Sequence, residues 1–133
     1  MAIADCIVDL RLHGCVAAAA VMLTACGSPT SATLTTGLTG TVLRGPVAPV
    51  CTASVPCSVP FSAGFTIEGR GITVARFRSN PDGRFTVMLA AGSYRVIPDA
   101  DAPIISPTSQ AKAVTVQDTG LTTVTLEFDT GIR

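Results

Sequence analysis

Residues 79–96 read SNPDGRFTVMLAAGSYRV, and this stretch decides the fold. Its middle alternates apolar and polar side chains with a period of two, which is the pattern of a strand buried on one face. Pro81 sets φ to about −65° and Gly83 tolerates a positive φ, so we predict a turn that closes a hairpin between Arg78 and Arg84. A second reversal is predicted at 90–93. The alternating residues are Phe85, Val87 and Leu89 on the apolar parity and Arg84, Thr86 and Met88 on the polar parity.

The same alternation recurs along the rest of the chain. Beyond residue 26 no segment places apolar residues at helical spacing, and turn residues separate short alternating segments. Ile72 and Val74 fall on one parity whereas Ala75 and Phe77 fall on the other, so we predict a β-bulge near Val74. The predicted fold is all-β, a single seven-stranded antiparallel β-sandwich. Its strands are predicted at 38–43, 64–68, 72–78, 84–89, 93–96, 113–117 and 123–128, with a third turn at 118–120.

An apolar run, CVAAAAVML, occupies residues 15–23. Nine residues are too few to span a bilayer, which takes about 20, but they match the apolar region of a secretory signal peptide. The next residues, Leu23-Thr24-Ala25-Cys26, resemble the lipobox of bacterial lipoproteins. The resemblance implies cleavage before Cys26 and a diacylglycerol on its sulfur. A plain cleaved signal peptide followed by an unrelated cysteine is the alternative.

The lipobox resemblance divides the chain into three parts. Residues 1–25 are predicted to be a lipoprotein signal peptide, 26–37 a flexible and uncharged tether, and 38–133 the folded domain. Two or three acyl chains hold a protein on a membrane stably, so the first predicted partner is the membrane, through the lipid on Cys26. The expected location is the cell envelope. Gly27 stands where an Asp favours inner-membrane retention, so in a Gram-negative cell we expect the outer membrane or periplasm.

The charge balance excludes one class of partner, and the histidine content excludes one class of chemistry. Nine Lys and Arg balance nine Asp and Glu, which leaves no basic footprint for nucleic acid. Removal of 1–25 leaves 133 − 25 = 108 residues with a net charge of 8 − 7 = +1, and it removes His13, the one histidine of the chain. A domain without histidine has no Ser-His or Cys-His catalysis, and we expect no enzyme activity, no cofactor and no metal site.

The deciding stretch also carries a family likeness. Asp82-Gly83-Arg84-Phe85, followed by the Leu-x-x-Gly-x-Tyr pattern of 89–94, resembles the carboxypeptidase regulatory-like domain, and Gly40-Thr41-Val42 resembles the opening strand of that family. The resemblance covers roughly residues 38–128. It implies a transthyretin-like, or prealbumin-like, sandwich of seven strands, and family members are mostly non-catalytic. We expect Phe85 and Tyr94 to pack in the core, with the phenol hydroxyl hydrogen-bonded near the rim.

Two cysteines flank a short loop in the Pro-rich connection 46–60. Cys51 and Cys57 belong to a chain predicted to be exported, so we expect them to form a disulfide. The chain-entropy relation assigns such a small loop about 2.4 kcal/mol of stabilisation. The rival interpretation, a metal site, requires two more soft or imidazole ligands than the mature chain supplies.

Two groups of charged residues are weaker candidates. Asp99 and Asp101, with Asp118, offer oxygen ligands for Ca²⁺ or a carboxylate pair, but aspartates in loops more often form solvated turns. Four arginines on predicted strands form either a basic stripe or the solvated face of the sheet, and we favour the solvated face. They are Arg76, Arg78, Arg84 and Arg95.

These observations favour a non-catalytic β-sandwich module of the bacterial cell envelope. Its expected role is structural, or the recognition of an envelope protein or a glycan. The alternative is a surface protein that binds carbohydrate or another small ligand. The absence of Trp and the single Tyr disfavour sugar stacking in that alternative.

Overall fold

The computed structural model of the chain describes residues 32–133. The predicted signal peptide, Cys26 and the first part of the predicted tether lie outside the described residues. The described part is almost entirely β-structure, with one short 3₁₀ turn at Pro107–Ser109. Its strands are β1 (Gly37–Gly45), β2 (Val59–Pro60), β3 (Gly64–Gly69), β4 (Ile72–Arg78), β5 (Arg84–Met88), β6 (Gly92–Pro98), β7 (Lys112–Val116) and β8 (Leu121–Asp129).

The strands form two four-stranded sheets arranged as a sandwich. In the first sheet β1 is central, with β8 along one side and β5, followed by the short β2, along the other. The second sheet has the order β4-β3-β6-β7. The all-β prediction is therefore confirmed, and a strand lies at each of the seven predicted positions, but the described residues form eight strands rather than seven. Strand β2 was not predicted, because two residues are too few to show an alternation.

All five phenylalanines contribute to the core between the sheets. Phe65 of β3 lies with its ring centroid 4.9 Å from that of Phe77 and 5.7 Å from that of Phe128 on the opposite sheet. Phe77 in turn stacks on Phe85 at 4.4 Å. The predicted burial of Phe85 is confirmed, since only 5% of it is exposed. Tyr94 also packs as predicted, and its hydroxyl donates to the carbonyl oxygen of Ala90 at 2.6 Å.

The prediction that the sheets are antiparallel throughout is wrong for one pair. Strand β8 runs parallel to β1, from Gly37 opposite Leu121 to Gly45 opposite Asp129. Alternation reports which face of a strand is buried but carries no information about its direction. A parallel pair needs a long connection, and here the whole domain lies between the two strands. Gly40 permits their close approach, because a Cβ there would lie 1.8 Å from the carbonyl oxygen of Val124.

The turn predicted at 80–83 forms, but the hairpin predicted around it is wrong. The Gly83 N–H donates to the Asn80 carbonyl at 2.8 Å and Gly83 has φ of 73°, as the turn chemistry requires. However, β4 and β5 belong to different sheets, so the turn carries the chain across the sandwich. The predicted reversals at 90–93 and 118–120 also carry the chain from one sheet to the other. Turn residues specify where the chain bends and not which strand it pairs with afterwards.

A tight hairpin with a two-residue loop connects β3 to β4 through Arg70 and Gly71. Both residues have positive φ, 54° and 78°, which matches the twist of a two-residue hairpin loop. The predicted bulge lies in this hairpin and is confirmed. Ile67 pairs with Ala75 and Glu68 with Thr73, which leaves Val74 as the extra residue.

Candidate functional site

A polar groove opens beside β1, β5 and the turn that joins β4 to β5. Its volume is about 520 Å³ and it is open to solvent. Strand β1 turns Leu38 and Val42 into the core, so Thr39 and Thr41 lie on the outer face of the first sheet. The side chains that line the groove are mostly hydroxyls and guanidiniums: Thr39, Thr41, Thr86, Thr123, Arg78, Arg84, Asn80 and Phe85.

Strand register arranges the hydroxyls in rows across the outer face. Thr39 lies between Thr86 of β5 and Thr123 of β8, and its hydroxyl oxygen is 3.1 Å from that of Thr86. The next row places Thr41 between Arg84 and Thr125. The sheet therefore presents hydrogen-bonding groups at the spacing of its strands, about 4.8 Å.

The two arginines of the groove flank the turn between the sheets. The side-chain oxygen of Asn80 accepts from the backbone N–H of Arg84 at 2.9 Å, which holds the start of β5 beside the end of β4. Both guanidiniums are exposed, and neither is within 4.0 Å of a carboxylate of residues 32–133. A guanidinium keeps its charge at every physiological pH and presents several N–H donors in one plane. The groove therefore offers donors and positive charge to an anion.

The four arginines considered in the sequence do not form one stripe. All four are exposed, as expected for a solvated face. Arg84 belongs to the first sheet, whereas Arg76, Arg78 and Arg95 belong to the second. Arg95 pairs across β6 and β3 with Glu68 at 3.7 Å. Only Arg78 and Arg84 line the groove.

The candidate aspartates are not brought together. Asp99 follows β6, whereas Asp118 follows β7, which runs antiparallel to β6, so the two lie at opposite ends of the sheet. The Asp99 carboxylate accepts from the Thr66 hydroxyl at 3.2 Å, and its carbonyl accepts from the Ala102 N–H at 3.0 Å. Asp99 therefore acts as a turn residue. Asp101 is exposed.

The predicted disulfide between Cys51 and Cys57 is present, with the two Cα atoms 5.1 Å apart. It closes the tip of the connection between β1 and β2. Inside the loop Thr52 and Val55 exchange backbone hydrogen bonds, each of 3.1 Å, and Val47 donates to the Cys57 carbonyl at 3.0 Å. The disulfide therefore staples the connection, as the sequence predicts.

Gln110 and Asp129 form hydrogen bonds where β7 begins and β8 ends. These contacts were not predicted from the sequence. The Gln110 side chain accepts from the Asp129 N–H at 2.7 Å and donates to the Asp129 carbonyl at 2.9 Å, so it pairs with β8 as a strand would. The Asp129 carboxylate accepts two hydrogen bonds from the Arg133 guanidinium, of 3.1 and 2.8 Å. The Gly131 N–H donates to the same carboxylate at 2.7 Å.

These contacts set the charge state of Asp129. The hydrogen bonds from Arg133, and then the one from Gly131, lower the pKa of the Asp129 carboxyl from 3.8 to about 2. The same pairing raises the pKa of Arg133. Because the folded-state pKa of Asp129 is depressed, its stabilising contribution is present above pH 3.8 and is lost as the pH falls through about 2.

Arg133→Gln is expected to raise the pKa of Asp129 towards 3.8, because the principal cause of the depression is removed. An NMR titration of the side-chain carboxyl carbon measures this pKa directly. Arg95→Gln is the matched control, since Arg95 pairs with Glu68 instead. An unchanged pKa of Asp129 in Arg133→Gln would assign the depression to the Gly131 N–H alone.

A scan against protein-family models finds no match for this chain, and a search of curated proteins finds none either. The resemblances to lipoproteins and to carboxypeptidase regulatory-like domains therefore stay predictions. In residues 32–133 no helix is long and apolar enough to cross a membrane. Over the same part of the chain, no three His, Cys, Asp or Glu side chains are grouped so that they could hold a metal ion.

The sequence singles out the arginines of the groove as candidates for a basic stripe, but it does not single out the threonines or Asn80 as site residues. The threonines occupy the polar positions of three strands in which apolar and polar residues alternate. This alternation is visible in the sequence. Which of those polar positions become neighbours depends on the pairing of β1 with β5 and β8, and alternation alone does not determine the pairing.

Proposed function

We propose that this chain is an exported, lipid-anchored and non-catalytic recognition module of the bacterial cell envelope. The Leu23-Thr24-Ala25-Cys26 lipobox pattern supports the anchor. The disulfide supports export, since such bonds persist in oxidising compartments. The Asp-Gly-Arg-Phe turn and the two-sheet architecture support a domain of the carboxypeptidase regulatory-like, prealbumin-like kind.

The lining of the groove is the observation that carries the recognition role. Threonine hydroxyls and guanidiniums donate hydrogen bonds, and a guanidinium does not release its proton at physiological pH. Such groups hold a ligand but do not serve as general bases, which work best with a pKa near the operating pH. The groove therefore supports binding rather than catalysis.

The ligand that this chemistry fits best is a glycan carrying acidic groups. A guanidinium binds a carboxylate or a phosphate through two parallel hydrogen bonds. The rows of threonine hydroxyls supply further partners for sugar hydroxyls along an extended chain. This mode needs no aromatic stacking platform, so the low aromatic content of the chain does not count against it.

The anchor is tested by metabolic labelling with an alkynyl fatty acid in a bacterium that processes lipoproteins. The unaltered chain is expected to incorporate the label and Cys26→Ala to lose it completely, because the acceptor sulfur is gone. The variant with both Cys51→Ser and Cys57→Ser is the control and should keep the label. Label that persists in Cys26→Ala would contradict lipidation at this residue.

Recognition is tested with polygalacturonate, a carboxylated glycan, and with neutral dextran. Arg84→Gln is expected to weaken binding to polygalacturonate about tenfold or more, since hydrogen bonds to charged groups contribute about 1.5–3 kcal/mol. Arg76→Gln is the matched control: it removes the same charge from an exposed strand position that does not line the groove. Equal loss in both variants, or equal binding of dextran, would contradict a specific anionic site.

A further inference from the structure

The end of the sandwich at which β1 begins carries an exposed apolar patch. Gly37, the first residue of β1, pairs with Met88 on one side and with Leu121 on the other. Met88 is 42% exposed and Leu121 is 46% exposed. Leu34, which precedes the strand, is 45% exposed. Apolar side chains of this size therefore surround the point where the chain enters the domain.

The second sheet extends the patch at the same end. The β5–β6 and β7–β8 connections place the end of β5 beside the start of β6, and the end of β7 beside the start of β8. The β3–β4 hairpin lies at this end too, because Glu68 is opposite Arg95 near the start of β6. Ile72, directly after the hairpin, is 66% exposed. We call Leu34, Ile72, Met88 and Leu121 the entry patch.

Charge does not select between the two ends of the sandwich. The segments at the entry end, 32–36, 70–71, 89–91 and 117–120, contain one cation and one anion, Arg70 and Asp118. The opposite end carries Asp82, Asp99 and Asp101 in its connections. It also carries cations at the adjoining strand ends and in the tail after β8: Arg44, Arg78, Arg84, Lys112 and Arg133. The nearly neutral entry end is compatible with a phospholipid surface that carries anionic headgroups.

Exposed apolar residues also occur at the opposite end, so exposure alone does not select an orientation. Val50 is 72% exposed and Ile105 is 48% exposed. The entry patch differs from the opposite end in that only a short length of chain separates it from the proposed anchor. Leu34 stands eight positions after Cys26, and an extended chain spans at most about 3.6 Å per residue, or about 29 Å in all.

A short connection of this kind changes what a small patch can do. Once Cys26 is acylated, contact between the entry patch and the bilayer is an intramolecular event with a high effective concentration. A patch of four side chains, too small to bind a membrane alone, can then stay at the interface between headgroups and acyl chains.

We propose that the entry patch docks on the bilayer that holds the acylated Cys26, with the groove arginines Arg78 and Arg84 at the end of the sandwich that is away from it. The proposal rests on the lipid anchoring put forward as part of the function. The groove arginines end β4 and begin β5, so they lie towards the end opposite the entry patch. Docking would place the Thr39–Thr86–Thr123 row of the groove nearest the bilayer and its arginine end farthest from it.

The chain contains no Trp, so one introduced Trp is a clean fluorescent reporter. The full acylated protein is reconstituted into phosphatidylethanolamine and phosphatidylglycerol vesicles, with and without bromine on the acyl chains. In Met88→Trp and Leu121→Trp we expect a blue-shifted emission and a loss of intensity with brominated lipid. Val50→Trp, at the opposite end, is the matched control and should keep the emission of a solvated indole and its full intensity.

The outcomes separate this proposal from the one on which it rests. Mass spectrometry of each reconstituted sample shows whether Cys26 is acylated. If it is acylated and the three variants are quenched alike, or none is quenched, docking by the entry patch is wrong while the anchor stands. If Cys26 carries no lipid and the protein does not remain with the vesicles, both proposals fail. Because two reporter positions are used, docking can still be tested if one of the two variants does not fold.

Discussion

Phe65→Ala is expected to lower the free energy of unfolding by about 3–5 kcal/mol, a large share of the about 5–15 kcal/mol that a small domain has. Phe65 is 1% exposed, and its ring packs against three others: Phe61 at 6.2 Å, Phe77 at 4.9 Å and Phe128 at 5.7 Å. Because Phe128 belongs to the opposite sheet, truncation leaves a cavity in the layer that joins the two sheets. Urea unfolding followed by circular dichroism measures the change.

Ile72→Ala is the control for Phe65→Ala. It also removes a large apolar side chain from the second sheet, but Ile72 is 66% exposed, so no cavity forms. We expect a change within about 0.5 kcal/mol, as for surface positions in general. Comparable losses in the two variants would mean that burial between the sheets is not the main source of stability.

Replacing both Cys51 and Cys57 by Ser is expected to cost about 2.4 kcal/mol, the chain-entropy value for so short a loop. The physical reason lies in the unfolded chain, which gains conformations when the link is removed. The connection between β1 and β2 should also exchange its amide hydrogens faster, since few hydrogen bonds besides those of Val47, Thr52 and Val55 hold it. Urea unfolding gives the free energy, and hydrogen exchange gives the local effect.

Reduction of the unaltered protein with dithiothreitol provides the matched comparison. It should reproduce the loss seen in the double Ser variant, whereas the same reagent should leave the variant itself unchanged. If the double variant is as stable as the oxidised protein, the connection is held by its backbone hydrogen bonds and the disulfide is dispensable for stability.

Much of the local structure was predictable from the residues. Alternation located the seven longer strands because a half-buried strand must place its apolar side chains on one face. The change of parity between Val74 and Ala75 located the bulge for the same reason. Proximity along the chain indicated the Cys51–Cys57 disulfide. Each of these features depends on residues that are close in sequence.

The groove was only half predictable. Arg78 and Arg84 are close in sequence and flank a recognisable turn, so their proximity could be inferred from the chain alone. Thr39 and Thr123 are far apart in sequence and become neighbours only because β8 pairs with β1. The Gln110 pairing with Asp129 has the same origin, since a side chain completes the hydrogen bonds of a distant strand.

The amino-acid sequence by itself determined the β class, the strand positions, the turn at 80–83 and the identity of the residues that face water. Only the tertiary structure decided that this turn crosses between sheets and that β1 and β8 run parallel. The reason is that local patterns specify which side of a strand is apolar and where the chain bends. The choice and direction of a strand's neighbour depend on how all the apolar faces are buried together, which is a property of the whole domain.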